Sequence, residues 1–363
     1  MVGAQRLASL DVMRGFAVVG MIIVNWAATV ANHHVSVVPW PLLHAEWTGL
    51  TPADLVFPAF VVLMGVSLGL NYDASVKQPF RRVLVRSSRL FAVGLVLSNL
   101  YWLRDPDPDT FRILGVLQRL ALVYLATALL IRHSSSRFQI VMIATLLVGY
   151  WAALLAPLPS GVPRDITVPG ANFVSWFDRV TLSGHIYVPG PSGYDPEGVL
   201  STFPAVALCM IGVMAGLWLC KRTPSAGISF RLAISGALFL AVGVVWSGAL
   251  PIVKNLWTSS YAMVSAGLTL LILASAYWLV DVLGRRPIGT EFFRSFGLNA
   301  IAAYVLHALI LTALSAGRLY VGRAFDGLVG GATLASLFSL AVVLGVTWFI
   351  VAWLRQHQVF LRI

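Results

Sequence analysis

The chain has 363 residues, 58% hydrophobic and only 11% charged, with a mean hydropathy of +0.84 and a formal net charge of +11. Soluble domains carry roughly 25% charged residues, so this composition excludes a single water-soluble core. It also turns the positive charge from a nucleic-acid signal into a topology signal, because the basic residues cluster in short loops between apolar runs.

In lipid only helices and closed barrels satisfy the backbone. The runs at 57–70 and 262–280 are apolar without alternation, which suits helices of about 20 residues rather than barrel strands. The expected fold is all-α: a polytopic integral membrane bundle of about ten transmembrane helices. Both termini are expected in the cytoplasm, and 1–363 is expected to form a single transmembrane domain.

The first predicted span covers 14–32. Asp11 and Arg14, i and i+3 at its start, suit a helix-end ion pair; Arg14 equally suits the anionic end of a cytoplasmic ligand. Asn25 lies near the outer end, where an interhelical hydrogen bond is the plain alternative to a functional role. The following loop, at about 33–52, carries His33, His34, His44, Glu46 and Trp47. Histidine is the side chain suited to moving a proton near neutral pH, and His44 stands a few residues before the next span. The three histidines lack the carboxylate or cysteine spacing of a zinc site, so no metal is expected.

The second span, 53–72, opens on Thr51-Pro52-x-Asp54: Thr51 as N-cap, Pro52 at N1 and Asp54 in the first turn. Spans follow at 86–103 and 112–131. Arg119 lies about two turns into the latter, where an arginine needs a partner or an anionic ligand. The fifth span is 138–157. The loop at 158–198 comes next, rich in Gly and Pro and carrying Trp176, Tyr187 and Tyr194; loops this long are functional or disordered. The remaining spans are 199–219, 231–251, 259–280, 295–314 and 332–354. Gly65/Gly69 and Gly212/Gly216 are GxxxG pairs for close helix packing. Asn299 and His307 share the ninth span, eight residues apart. Cys209 and Cys220 form neither a metal spacing nor a disulfide framework.

Alternate loops hold the charge. Lys77 to Arg89, Arg132 and Arg137, Lys221 to Arg231, and Arg285 to Arg294 join the two ends of the chain, placing 17 of the 25 basic residues on one side. The positive-inside rule makes that side cytoplasmic, which puts the His44 loop and the 158–198 loop on the far side. With no targeting extension recognised, the expected location is a bacterial inner membrane with His44 facing the periplasm.

Several segments carry a resemblance. Arg6-Leu-x-Ser-Leu-Asp-Val-x-Arg-Gly, Met21-Ile-Ile-Val-Asn25 and His44-Ala-Glu-Trp-Thr-Gly-Leu-Thr-Pro-Ala-Asp54 are followed by Gly115-Val-Leu-Gln-Arg119 and Tyr194-Asp-Pro-Glu-Gly198. Lys254-Asn-Leu-Trp-Thr-Ser-Ser-Tyr261 and 299–307 complete the series. Together they resemble the catalytic membrane domain of the heparan-α-glucosaminide N-acetyltransferase family and its bacterial NagX-like relatives. The resemblance implies an all-helical bundle that passes the acetyl group of cytosolic acetyl-CoA to an amino sugar or oligosaccharide across the membrane. It implies a catalytic histidine at His44 assisted by Asn25. Asp54, Trp47 and Glu46 are then candidates for the acceptor site, and Arg14, Arg119, Asn299 and His307 for the acetyl-CoA side. His44 suits two roles, general base or transient acetyl carrier. A transporter of a small sugar or anion stays open, as does an O-acetyltransferase acting on a cell-wall glycan, since the opening Arg-x4-Asp-x2-Arg-Gly also occurs in membrane O-acyltransferases. A homodimer also stays open.

Overall fold

The computed structural model describes residues 7–32, 38–71, 80–103, 106–132, 135–159, 161, 163–220, 223–316 and 331–360. All ten predicted apolar segments are helical in it. Among the described residues there are twelve α-helices: α1 (Ala8–Asn32), α2 (Val56–Leu70), α3 (Phe80–Ser98), α4 (Val116–Arg132), α5 (Ser136–Leu155), α6 (Phe173–Leu182), α7 (Thr202–Leu219), α8 (Ala226–Ser247), α9 (Ser259–Tyr277), α10 (Thr290–Leu298), α11 (Ala300–Ala316) and α12 (Gly331–Gln356). Seven helical stretches are long and apolar enough to cross a membrane, and α10 with α11 makes an eighth if the bent pair is one span. The protein is a polytopic helical membrane protein. The other two expected spans are helices of a different character: α3 carries Arg81, Arg82, Arg86 and Arg89 in its first half, and α4 has 17 residues.

The chain divides into two compact units, one from 45–50 and 61–278, the other from 7–44, 51–60 and 279–363. In the first unit α7 and α9 present no charged residue on any face and bury most of their side chains, the pattern of central helices. Helix α8 packs on α9, α5 and α4 on α7, and α3 on α4. The predicted GxxxG pairs meet each other. A Cβ on Gly65 would lie 2.0 Å from the Cys209 carbonyl oxygen, and one on Gly212 would lie 2.2 Å from that of Val62. Only glycine allows this backbone approach. The outer faces are apolar, as lipid requires: Val245 is 80% and Phe230 66% exposed on α8.

In the second unit α1 packs along α10, α11 and α12. Val18, Val19, Met21 and Ile22 form a core with Phe296, Ala303, Val343 and Val351. The start of α1 is capped from a distant part of the chain, with the Ala8 and Ser9 N–H groups donating to the Asp281 carboxylate at 3.0 and 3.3 Å. Between α10 and α11 the chain turns by 89°, and Asn299 in the break donates from Nδ2 to the Val359 carbonyl at 3.1 Å. At Gly297, just before the break, a Cβ would lie 1.8 Å from the Asp11 carbonyl oxygen, so α10 and α1 touch backbone to backbone.

Candidate active site

The second unit positions two histidines, each on a polar partner. The first pair is built locally. Thr51 is the N-cap of a 3-10 turn, Pro52–Leu55, that runs into α2. Asp54 at its third position sends its Oδ2 back to the Thr51 N–H at 2.9 Å. The Thr51 hydroxyl sits 2.7 Å from the Leu43 carbonyl and 3.0 Å from Asp54 Oδ2. The other carboxylate oxygen, Oδ1, lies 2.8 Å from His44 Nδ1. Asp54 is 1% exposed, whereas the His44 side chain keeps 36% of its surface. A buried carboxylate that accepts from Nδ1–H fixes the tautomer and turns the Nε2 lone pair outward. Asp54 thus caps the turn with one carboxylate oxygen and meets His44 with the other.

The second pair is assembled across the chain. Asn25 Nδ2 lies 2.9 Å from His307 Nε2, joining α1 to α11 over 282 positions. His307 is 1% exposed, and its ring meets that of Tyr304 edge-on at 4.9 Å. Asn25 itself is exposed. The neighbouring turn of α1 is held firmly. Trp26, Ala27 and Val30 pack with Val38, Leu42, Leu311 and Leu340, and Trp26 Nε1 donates to Ser339 Oγ at 2.8 Å. Val38 and Leu42 belong to the segment leading to His44, so one apolar cluster seats both the C-terminal end of α1 and that segment.

The remaining expected site residues have other company. Arg14 pairs with Asp11 at 3.6 Å. Asn299 ties the helix break to the C-terminal segment. In the first unit Glu46 is exposed and Trp47 buried. The Trp47 indole donates to the Ile166 carbonyl at 2.9 Å and meets Tyr194 edge-on at 4.8 Å. Arg119 is fully buried. Its Nη2 donates to the Gly198 carbonyl and to Ser201 Oγ, and its guanidinium lies over the Trp257 ring at 5.0 Å. Nε and Nη1 of Arg119 have no hydrogen-bond partner among the described residues. His33 and His34 lie outside the described residues. Among those described, no group of three or more His, Cys, Asp or Glu is placed to hold a metal ion.

One cluster was not singled out from the sequence, although two of its acidic members, Asp195 and Glu197, stand in the quoted stretch 194–198. Arg112 Nη2 donates to Asp195 Oδ1 at 2.9 Å and to Glu197 Oε2 at 2.6 Å, with its guanidinium 4.6 Å from the Tyr187 ring centre. Asp178 on α6 accepts from the Val199 N–H at 2.9 Å. Burial pushes the Asp178 carboxyl up to about 7. Burial also raises Asp195; it pulls Glu197 the same way, but there the charges of Arg112 and Arg119 prevail and hold the carboxylate below its ordinary range. The cluster fastens the 158–198 loop to the segments that lead into α4 and α7.

Residues 6–252 match the family model described as "Heparan-alpha-glucosaminide N-acetyltransferase, catalytic". The human protein named heparan-alpha-glucosaminide N-acetyltransferase is 32% identical over 359 residues, an alignment covering 83% of this chain and 52% of that protein. The mouse protein of the same name is 29% identical over 363 residues, covering 85% of this chain and 54% of its own length. The chain thus spans about half the length of these curated relatives.

Proposed function

This chain belongs to the heparan-α-glucosaminide N-acetyltransferase catalytic family, a family of transmembrane N-acetyltransferases, and from that premise we propose that it moves the acetyl group of cytoplasmic acetyl-CoA to the amine of a glucosamine-type sugar on the far side of the membrane. One observation carries the proposal. Within the matched segment, an exposed imidazole stands on a buried carboxylate, His44 on Asp54, as a base and its orienting group must.

In this mechanism His44 Nε2 takes the proton that the amine gives up as its nitrogen attacks the thioester carbonyl. A C–N bond forms, the tetrahedral oxyanion collapses, and the C–S bond breaks. The proton held by His44 then passes to the departing thiolate, giving free CoA. The Asn25 amide donates to the oxyanion. In the covalent variant Nε2 attacks the thioester carbonyl and the C–S bond breaks to release CoA thiolate; the amine then attacks the acetyl-imidazolium, the Nε2–acetyl bond breaks, and the amine proton passes to the thiolate; Asp54 keeps Nδ1–H in both. The basic loops are the cytoplasmic side and the His44 loop the far side, in keeping with the positive-inside rule. The basic side is where anionic acetyl-CoA would bind, with Arg14 at its edge. In a bacterial cell the membrane would be the inner one.

The test is transfer of radiolabelled acetyl from acetyl-CoA to glucosamine by purified protein in detergent, with His44→Ala beside it. Wild-type transfer that falls by about two orders of magnitude or more in a folded His44→Ala protein is the expected result. Transfer that survives the substitution would retain the activity and remove His44 from it. No transfer to any of several amino sugars by folded wild type would overturn the proposal and bring the transporter forward.

A further inference from the structure

We infer that His307 is a positioning residue for acetyl transfer, acting through Asn25; this rests on the function proposed above. An asparagine side chain on a helix surface rotates freely about two bonds, and an oxyanion donor is effective only when held in place before the charge develops. Asn25 is exposed on α1, but its amide is not left to itself. His307, buried on α11, approaches Asn25 Nδ2 with Nε2 at 2.9 Å. With the amide nitrogen toward the ring, Nε2 is the acceptor and the imidazole is neutral, with its proton on Nδ1. One amide hydrogen is then engaged by His307, and the second, with Oδ1, is set by that bond on the exposed side.

The surroundings leave the amide little other freedom. The next residue, Trp26, is buried and bonded to Ser339 on α12, which fixes the α1 backbone there. One turn on, the Thr29 hydroxyl donates to the Asn25 main-chain carbonyl at 2.8 Å, which adds to the hold on the backbone. The imidazole is itself confined by the Tyr304 ring.

The experiment is a double-mutant cycle in detergent, with kcat and the KM for acetyl-CoA measured for wild type, H307A, N25A and H307A/N25A, each checked for folding by its melting temperature. H307Q is run in parallel, since a glutamine amide can offer an oxygen where Nε2 stands. The expected result is a fall in kcat of about tenfold or more in H307A. The KM should stay within about twofold, H307Q should recover part of the loss, and the double variant should be no slower than N25A. An equal further loss on removing His307 from the N25A background would overturn the inference, because it would show that His307 acts independently of Asn25. A raised KM with unchanged kcat would also overturn it, in favour of a place on the acetyl-CoA path. If H307A does not fold, the cycle is run with H307Q and H307F, where activity equal to wild type in H307F overturns it. Wild type inactive on every amino sugar fails the proposed function itself, whereas an active wild type with indifferent His307 variants fails this inference alone.

Discussion

At the scale of single residues, the two oxygens of Asp54 have separate duties, and that makes one substitution unusually informative. Oδ1 accepts from His44 Nδ1 and Oδ2 from the Thr51 N–H. Asp54→Asn must put its NH2 group at one of those places. Toward His44 it forces the other tautomer, with the proton on Nε2 and no base facing the amine. Toward Thr51 it sets donor against donor in a buried turn, and the neutral carbonyl left facing His44 no longer offsets the charge of the imidazolium that forms. Either way acetyl transfer is expected to fall by about two orders of magnitude or more, measured as kcat/KM. The second orientation should lower the melting temperature as well. Activity retained in Asp54→Asn would leave the carboxylate a cap and nothing more. This pair was legible in the sequence because everything it needs lies within ten positions: a cap order, a proline at N1 and a histidine just upstream. The Asn25 to His307 bond was not legible. Each residue is a polar group inside an apolar run, and only the packing of α1 on α11 says that they meet. The orientation of Trp47 was hidden for the same reason, since its partners Ile166 and Tyr194 sit in a remote loop.

At the scale of elements, the apolar runs located every helix they were expected to contain, because burial in lipid imposes a length and a composition that the sequence displays directly. Two features had no such signal. The 89° turn between α10 and α11 falls inside a run that reads as one span; no proline marks it. Its causes are tertiary: Gly297 against the Asp11 backbone on one side and the Asn299 amide on the Val359 carbonyl on the other. Helix α6 lies in the 158–198 loop and, at 10 residues, is too short to give the signal of a span; it is started by Asn172, whose Oδ1 accepts from the Ser175 N–H at 2.9 Å. The GxxxG pairs were legible as a motif, but their pairing with each other was not. That pairing gives a clean test of element packing. A Cβ at Gly212 meets backbone, which cannot rotate away, whereas one at Gly149 on α5 finds nothing within 4 Å. Gly212→Val is expected to destabilise the protein by about 1–3 kcal/mol through overpacking, seen as a lowered melting temperature in detergent. Gly149→Val supplies the same side chain at an open helical position and should change it little.

At the scale of the whole molecule, stability should depend on pH through the cluster that ties down the 158–198 loop. Asp178 is 1% exposed, and its carboxyl is pushed up to about 7 by burial, against an ordinary aspartate value near 3.9 in the unfolded chain. Between those two values the folded protein holds a proton on Asp178 that the unfolded chain has released. The unfolded state then binds fewer protons, so stability falls as pH rises from about 4 to about 7 and levels off above. A shift of this size corresponds to roughly 4 kcal/mol if wholly expressed, although the measured curve sums every group in the chain. The comparison that isolates Asp178 is Asp178→Asn, whose carbonyl oxygen can still accept from the Val199 N–H. Across that pH range the melting temperature of the wild type, in detergent, should fall more steeply than that of the variant, and the variant should be the more stable of the two at pH 8. Identical slopes would mean that the carboxyl stays ionised throughout, held by Arg119 and Arg179, and that the loop is locked by charge rather than by a buried neutral acid.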